Sequence, residues 1–282
     1  MDSNRIKELS LTAAKARKHA ITGVYNAKSG HPGGSLSIID VLVTLYFDKM
    51  NIDPKNPKDP DRDRFVLSKG HCAPALYGVL AERGYFPAKE IENLRKLGHF
   101  LQGHPDMKGV PGVDMSTGSL GQGVSAANGM ALMAKLEKKD YRVYTAVGDG
   151  EIEEGQVWEA AMFAAHYKLD NLTLFADNNG LQIDGDITKV MNPMPIDEKY
   201  RAFGWHVIKI DGHDYNQISD AVEEAKTIKN KPTCVLCKTV KGKGVSFMEN
   251  QAGWHGVAPK EDEFKAAIAE LDEKIAELEG KA

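Results

Sequence analysis

The chain has 282 residues, 42% of them hydrophobic and 27% charged, with a formal net charge of −4 at pH 7. That is enough apolar material for one large core, and no compositional break marks a second unit, so residues 1–282 read as a single domain in which 259–282 form a terminal helix and tail. The balanced charge, with no basic stripe, argues against nucleic acid; no apolar run could span a bilayer and MDSNRIKELS lacks the apolar stretch of a secretion signal, so the cytoplasm is the expected compartment.

Apolar residues at helical spacing (Ile6, Leu9, Ala13, Ala16, Ala20, Val24) predict a helix over 5–27. A Gly-His-Pro-Gly-Gly break follows, and Ser35 is expected to cap a second, apolar helix reaching about residue 48. Residues 51–64, with Pro54, Pro57 and Pro60, read as a surface loop leading into a short strand at 65–67. A helix from 68 to about 83 and a short one near 88–97 come next. The glycine-rich stretch 98–123 is a long loop of the kind that carries function, and it opens a helix over 122–138 whose first turns are small residues. Later come a helix at 196–203, a strand at 205–210, a helix at 215–228, a strand at 232–238 and an amphipathic closing helix at 261–278, which either docks on its own domain or meets a partner. Three cysteines, Cys72, Cys234 and Cys237, are too few and odd in number for a disulfide framework. Cys234 and Cys237 form a C-x-x-C, but inside a strand they point to opposite faces and read as buried hydrophobes. Short apolar strands alternating with helices predict an α/β fold: a doubly wound, mainly parallel sheet with helices on both faces.

The most informative stretch is a βαβ unit in the middle. A strand at 143–147 ends in Gly148-Asp149-Gly150, a small-residue helix follows over 153–167, and a second strand at 172–176 ends in Asp177-Asn178-Asn179-Gly180. If the two strands are parallel neighbours, Asp149 and Asn179 emerge at the same carboxyl edge, where open α/β sheets bind ligands. A carboxylate, an amide oxygen and a loop carbonyl after Asn179 are hard donors that suit Mg²⁺ or Ca²⁺ better than zinc, and Mg²⁺ keeps positions for phosphate oxygens. Gly150 allows close backbone approach, and the next helix offers free N–H groups, so the expected ligand is a metal-bridged diphosphate. Either cluster alone is ordinary turn punctuation; their pairing across one helix and one strand is what points to a ligand.

Four of the nine histidines sit beside glycine in loops directed to that edge: His31 and His104, each in Gly-His-Pro, with His71 and His255. Such positions suit phosphate or sugar-hydroxyl binding and proton transfer near neutral pH, although a surface loop would also accept them. Lys69, Lys241 and Lys243 could add positive charge, solvated loop lysines being the commoner case.

The paired GDG and NN motifs match the thiamine diphosphate signature. Together with KSGHPGG, RDRFVLSKGH, TGSLGQG, GWHVIKIDGHD, KPTCVLCKTVKGKG and WHG, nearly the whole chain resembles the diphosphate-binding domain of transketolase. The resemblance implies thiamine diphosphate and Mg²⁺ or Ca²⁺ as cofactors, with Asp149, Asn179 and the Leu181 carbonyl on the metal. It implies cofactor contacts from His71, Gly118, Leu120, Gly148, Asp149, Gly150, Glu151, Asn179, Lys241 and His255. Catalytic roles would fall to His31, His71, His104 and His255, and Glu154 would resemble a glutamate in a proton-linked network between paired sites. The implied reaction moves a two-carbon ketol unit from a ketose phosphate to an aldose phosphate, in the pentose phosphate pathway. Family enzymes draw the aminopyrimidine pocket and its activating glutamate from a second domain of a neighbouring subunit, which this sequence does not contain. The expectation is therefore a split enzyme, with a separate C-terminal subunit, assembled as a dimer of heterodimers; a piece of a longer enzyme would read the same. Deoxyxylulose-phosphate synthase-like and dihydroxyacetone synthase-like enzymes are the alternatives within the same chemistry, with the histidine set favouring transketolase, and the intact metal triad and histidines argue against a non-catalytic partner-binding role. The Gly121–Ala126 match to a dinucleotide fingerprint has no strand before it, which disfavours a nicotinamide enzyme.

Overall fold

The computed structural model describes residues 1–281. Its strands are β1 (Arg64–Leu67), β2 (Val143–Gly148), β3 (Leu172–Asn178), β4 (Leu181–Gln182), β5 (Gly185–Asp186), β6 (His206–Asp211) and β7 (Thr233–Lys238). Five form a sheet in the order β1-β2-β3-β7-β6, every pair parallel, and β4 with β5 makes a small antiparallel hairpin. Strands such as VYTAVG and TCVLCK are apolar on both sides because both sides are covered.

The helices are α1 (Ser3–Ala27), α2 (Pro32–Thr44), α3 (Ala73–Arg83), α4 (Gln122–Leu136), α5 (Gly155–His166), α6 (Ile187–Val190), α7 (Ile196–Ala202), α8 (Tyr215–Thr227) and α9 (Glu261–Glu279). One core packs α1, α2, α3, α8 and α9 on one face; the other packs α4, α5 and α7. Cys234 lies in the second core and Cys237 in the first, so the C-x-x-C does straddle the sheet, and all three thiols are free and buried. The chain lays down β1, β2 and β3 side by side, jumps to the outer β6 and returns to insert β7. Since the chain leaving β3 runs to α7 on one face and the chain leaving β7 runs to α9 on the other, these connections diverge and leave a crevice at the carboxyl edge.

Three local expectations are corrected. Ser35 does not cap α2: the helix begins earlier, with Pro32 in its first turn, where a residue lacking an N–H and with φ preset costs nothing, and it ends in a π turn at Leu45–Lys49. The helix expected near 88–97 is a 3-10 turn, Ala88–Asn93. The helix expected to start at 153 is a 3-10 turn (Glu151–Glu153) followed by α5. The closing helix docks on its own chain: Phe264 stacks on Tyr25 of α1 with ring centroids 4.0 Å apart, and Ala267 and Leu271 are buried. The small start of α4 serves close packing, since a Cβ on Gly123 would stand 2.6 Å from the Ser68 Cα. No helix among the described residues is long and apolar enough to cross a membrane.

Candidate active site

Gly148 of β2 pairs with Asp177 of β3, so the loops after these strands leave the sheet side by side. Asp149 then bridges them: its Oδ1 accepts from the Gly150 N–H (2.9 Å) and its Oδ2 from the Gly180 N–H (2.6 Å). Asn179 turns its Oδ1 toward the Leu181 N–H (3.2 Å), and the Leu181 carbonyl accepts from Lys241 Nζ (3.0 Å). These three residues line one cavity of about 370 Å³ with Gly148, Gly150, Glu151, Gly118, Leu120, Lys69, Lys241 and all four loop histidines. Asp149 is buried, and burial, reinforced by the neighbouring Asp177 carboxylate, pushes its carboxyl up to about 6. A divalent cation would supply the missing counter-charge. The chemistry of the set, one carboxylate, one amide oxygen and one carbonyl, fits a hard cation that shares its other positions with phosphate oxygens.

Glu151 lines the same cavity, but both oxygens are engaged. Oε1 accepts from Ser68 Oγ (2.5 Å) and the Gly121 N–H (2.9 Å), and Oε2 from the Gly148 N–H (3.0 Å). It therefore ties together the loops after β1 and β2 and the start of α4.

The histidines cluster in the same cavity. The rings of His31, His71 and His255 lie 5.1 to 5.5 Å apart, centroid to centroid. His104 packs against Gly118, where a Cβ would come within 2.8 Å of the imidazole and the backbone has φ of +151°. Burial, with the positive charges of Arg95 and Lys241 nearby, lowers His31 to about 4; burial and Lys241 lower His255 to about 3; His71 is also held well below its ordinary value by burial and Lys69. At neutral pH the cluster is uncharged and offers both donors and acceptors. The Nδ1 of His31 is buried without a hydrogen-bond partner.

These shifts fix a sign. An unfolded chain protonates its histidines near 6.5, whereas folded His31 takes its proton only near 4 and the others are lowered in the same direction, so between those values the unfolded state binds more protons. The unliganded chain is expected to lose thermal stability as pH falls from 6.5 toward 4, and His31→Gln to flatten that loss. A melting series equally steep in the variant and the parent would contradict the assignment.

Lys69 and Lys241 are not solvated loop lysines: they are 1% and 2% exposed. Lys69 Nζ donates to the Gly34 carbonyl (3.0 Å) and pairs with Asp177, which also accepts from Ser37 Oγ (2.6 Å) and Thr239 Oγ1. Lys241 Nζ lies 2.9 Å from His255 Nδ1. Lys243 instead pairs with Glu249 away from the cavity. Glu154 stands apart too, at the N-cap of α5 and outside the cavity wall. Gly34, Gln182 and Ile183 line the cavity although no sequence signal singles them out; the last two sit on the β4–β5 hairpin, whose two-residue strands carry no readable periodicity. The Gly121–Ala126 segment opens α4 from a loop and not from a strand, and Gly121 is absent from the cavity wall.

An α/β sheet edge presenting a GDG loop, an NN loop and a histidine wall defines a thiamine diphosphate binding domain. Residues 9–275 match the family model described as transketolase, thiamine diphosphate binding domain, and the chain belongs to that family. It is 50% identical over 270 residues to the 6-deoxy-6-sulfo-D-fructose transketolase subunit SqwG of Clostridium sp. (strain MSTE9), covering 95% of this chain and 98% of that protein. It is 42% identical over 275 residues to an apulose-4-phosphate transketolase subunit of Phocaeicola vulgatus, covering 98% of each. Human transketolase is 41% identical over 276 residues, which are 97% of this chain and 44% of that one. The crystal structure of transketolase from Campylobacter jejuni superposes with a TM-score of 0.86 at 31% identity, over 100% of this chain and 49% of that one. The chain thus spans under half the length of these single-chain transketolases and nearly all of the two subunits.

Proposed function

We propose that this chain is the diphosphate-binding subunit of a two-chain transketolase, moving a two-carbon ketol unit from a ketose phosphate to an aldose phosphate with a separate C-terminal subunit, as a cytoplasmic dimer of heterodimers. The observation that carries this reading is the meeting of Asp149, Asn179 and the Leu181 carbonyl with His31, His71, His104 and His255 in one cavity. The subunit names of the two relatives covered nearly end to end support a partner chain.

In this reading Asp149 Oδ, Asn179 Oδ1 and the Leu181 carbonyl hold Mg²⁺ or Ca²⁺, and the metal, Lys241 and the backbone at Gly150 hold the diphosphate. When bound, thiamine diphosphate supplies a carbon nucleophile and an electron sink for breaking the bond beside the ketose carbonyl. The chain's own residues do the rest. Uncharged His31, His71 and His255 bond the donor's hydroxyls and exchange protons at ring nitrogens without first losing a charge. His104, braced by Gly118, adds a donor from the loop side. Lys69 offsets the charge of Asp177 and Lys241 offers an ammonium to the diphosphate, while the buried wall restricts water, which would otherwise intercept the transferred unit. In the same reading Glu154, outside the cavity at the N-cap of α5, acts in a proton-linked network between chains.

Ketol transfer with thiamine diphosphate and Mg²⁺ is expected from the chain mixed with its partner and absent from the chain alone. Robust transfer by the purified chain without a second polypeptide would overturn the two-chain reading. Mg²⁺-independent binding of thiamine diphosphate would overturn the metal assignment.

A further inference from the structure

The Gly212-His213-Asp214 turn between β6 and α8 does not reach the cavity, yet it belongs to a buried polar cluster whose upkeep needs a reason. Asp40 of α2 is 3% exposed and saturated: Oδ1 accepts from Arg17 Nη1 (3.0 Å) and Tyr215 OH (2.8 Å), and Oδ2 from Arg17 Nη2 (2.6 Å) and His213 Nδ1 (2.7 Å). Burial works against this carboxylate, but Arg17 and His213 together hold it well below the usual range, so it is an acceptor only. His213 must then carry its proton on Nδ1, which leaves Nε2 as a bare acceptor. That nitrogen receives the backbone N–H of Val240 at 2.9 Å.

Val240 immediately precedes Lys241. Beyond Lys241 the same turn is gripped again: Gly242 N–H donates to the Gly33 carbonyl (2.9 Å), and Arg17 Nε donates to the Lys243 carbonyl (2.9 Å). Two of these three holds trace back to Asp40, one through His213 and one through Arg17. The ammonium they carry needs holding. Lys241 is 2% exposed, and a lysine stem has rotamers by which to leave unless the backbone that mounts it is fixed.

We propose that His213 is a positioning residue: fixed in one tautomer by Asp40, it clamps the Val240 amide and so holds Lys241 Nζ between the Leu181 carbonyl and His255 Nδ1. The proposal rests on the reading that Lys241 faces the diphosphate. In metal sites, partners one layer behind the ligands are worth roughly 10- to 100-fold in affinity or activity, and a comparable effect is expected here.

The first test needs no cofactor. With ¹⁵N-labelled histidine, His213 in the full chain should show a protonated Nδ1 and a bare Nε2, and His213→Leu should shift the His255 Nδ1 resonance as Lys241 loosens. A folded His213→Leu chain with an unchanged His255 resonance would overturn the proposal, whatever the cofactor does. If the leucine variant fails to fold, His213→Ala carries the same comparison, because it too removes the acceptor for Val240 and leaves Asp40 its Arg17 and Tyr215 partners.

The second test is a double-mutant cycle in the complex of the chain with its partner, reading thiamine diphosphate affinity at fixed Mg²⁺. His213→Leu should weaken binding about tenfold in the parent and less than about twofold in a Lys241→Met background. Equal losses in both backgrounds would mean that His213 acts on general stability and not through Lys241. Failure of the parent complex to bind thiamine diphosphate would count against the functional reading instead, leaving the histidine resonances to decide the clamp.

Discussion

Replacing Asp149 by asparagine is expected to cut metal-dependent thiamine diphosphate binding by roughly a hundredfold or more while relieving a strain in the unliganded chain. The binding loss follows because Asp149 is the only carboxylate of the three proposed donors, and an uncharged amide cannot replace it for a hard divalent cation. The relief follows from its surroundings. The carboxyl is 2% exposed, burial and Asp177 raise it to about 6, and an unfolded aspartate titrates at 3.8. Between those values the folded-state Asp149 binds more protons than the unfolded one, so its own contribution to stability falls as pH rises through that window, opposing the histidines, and the penalty is complete above it. Asparagine carries no such penalty, although one of its faces turns an N–H toward the amide of Gly150 or Gly180 and loses a hydrogen bond. The stability difference between variant and parent should therefore move in the variant's favour by about 2 kcal/mol from pH 4.5 to pH 7.5. Urea unfolding at the two pH values measures it. A difference that stayed constant would mean that Asp149 is not strained, and unchanged binding would remove it from the metal site.

Lys69→Met is expected to be the most destabilising single change at the site, at roughly 3–5 kcal/mol, because it breaks a buried ion pair from one side. The 1% exposed ammonium is the cationic partner of Asp177, itself fully buried, and two hydroxyls cannot supply the charge that burial demands. Asp177 would then have to bind a proton or stay ionised beside Asp149 with no compensating charge. A second change, Asp177→Asn, should restore about half of the lost stability by removing the stranded carboxylate. Chemical denaturation of the single and double variants tests both statements; a loss below about 1 kcal/mol in the single variant would mean that the pair is worth no more than a surface contact.

Buried lysines and their carboxylate partners mark where the sequence stops being readable. The strand ends carrying Asp149 and Asn179 are legible because parallel pairing follows from short apolar runs on either side of one helix, and pairing dictates which residues share an edge. The histidines are legible because glycine neighbours make a poor core setting. Lys69 and Lys241 read as solvated because a lysine is burial-tolerant only with its partners, and theirs come from β3 and the loop after it, set by tertiary packing. Ser35 reads as a cap because hydroxyl chemistry suggests one, while Pro32 has already fixed the backbone. Gln182 and Ile183 carry no signal at all: a hairpin of two-residue strands is too short for any period to appear.

The crevice between diverging loops also bears on how the molecule comes to exist. Its walls are drawn from His31 and Lys69 early in the chain, from Asp149 and Asn179 in the middle, and from Lys241 and His255 near the end. β7 is the last of the sheet's strands to be synthesised, and it takes its place between β3 and β6. Until it does, the edge on which Lys241 is mounted does not exist. A cofactor gripped by Lys241 and His255 as well as by Asp149 and Asn179 therefore rewards the fold with β7 in place over one without it.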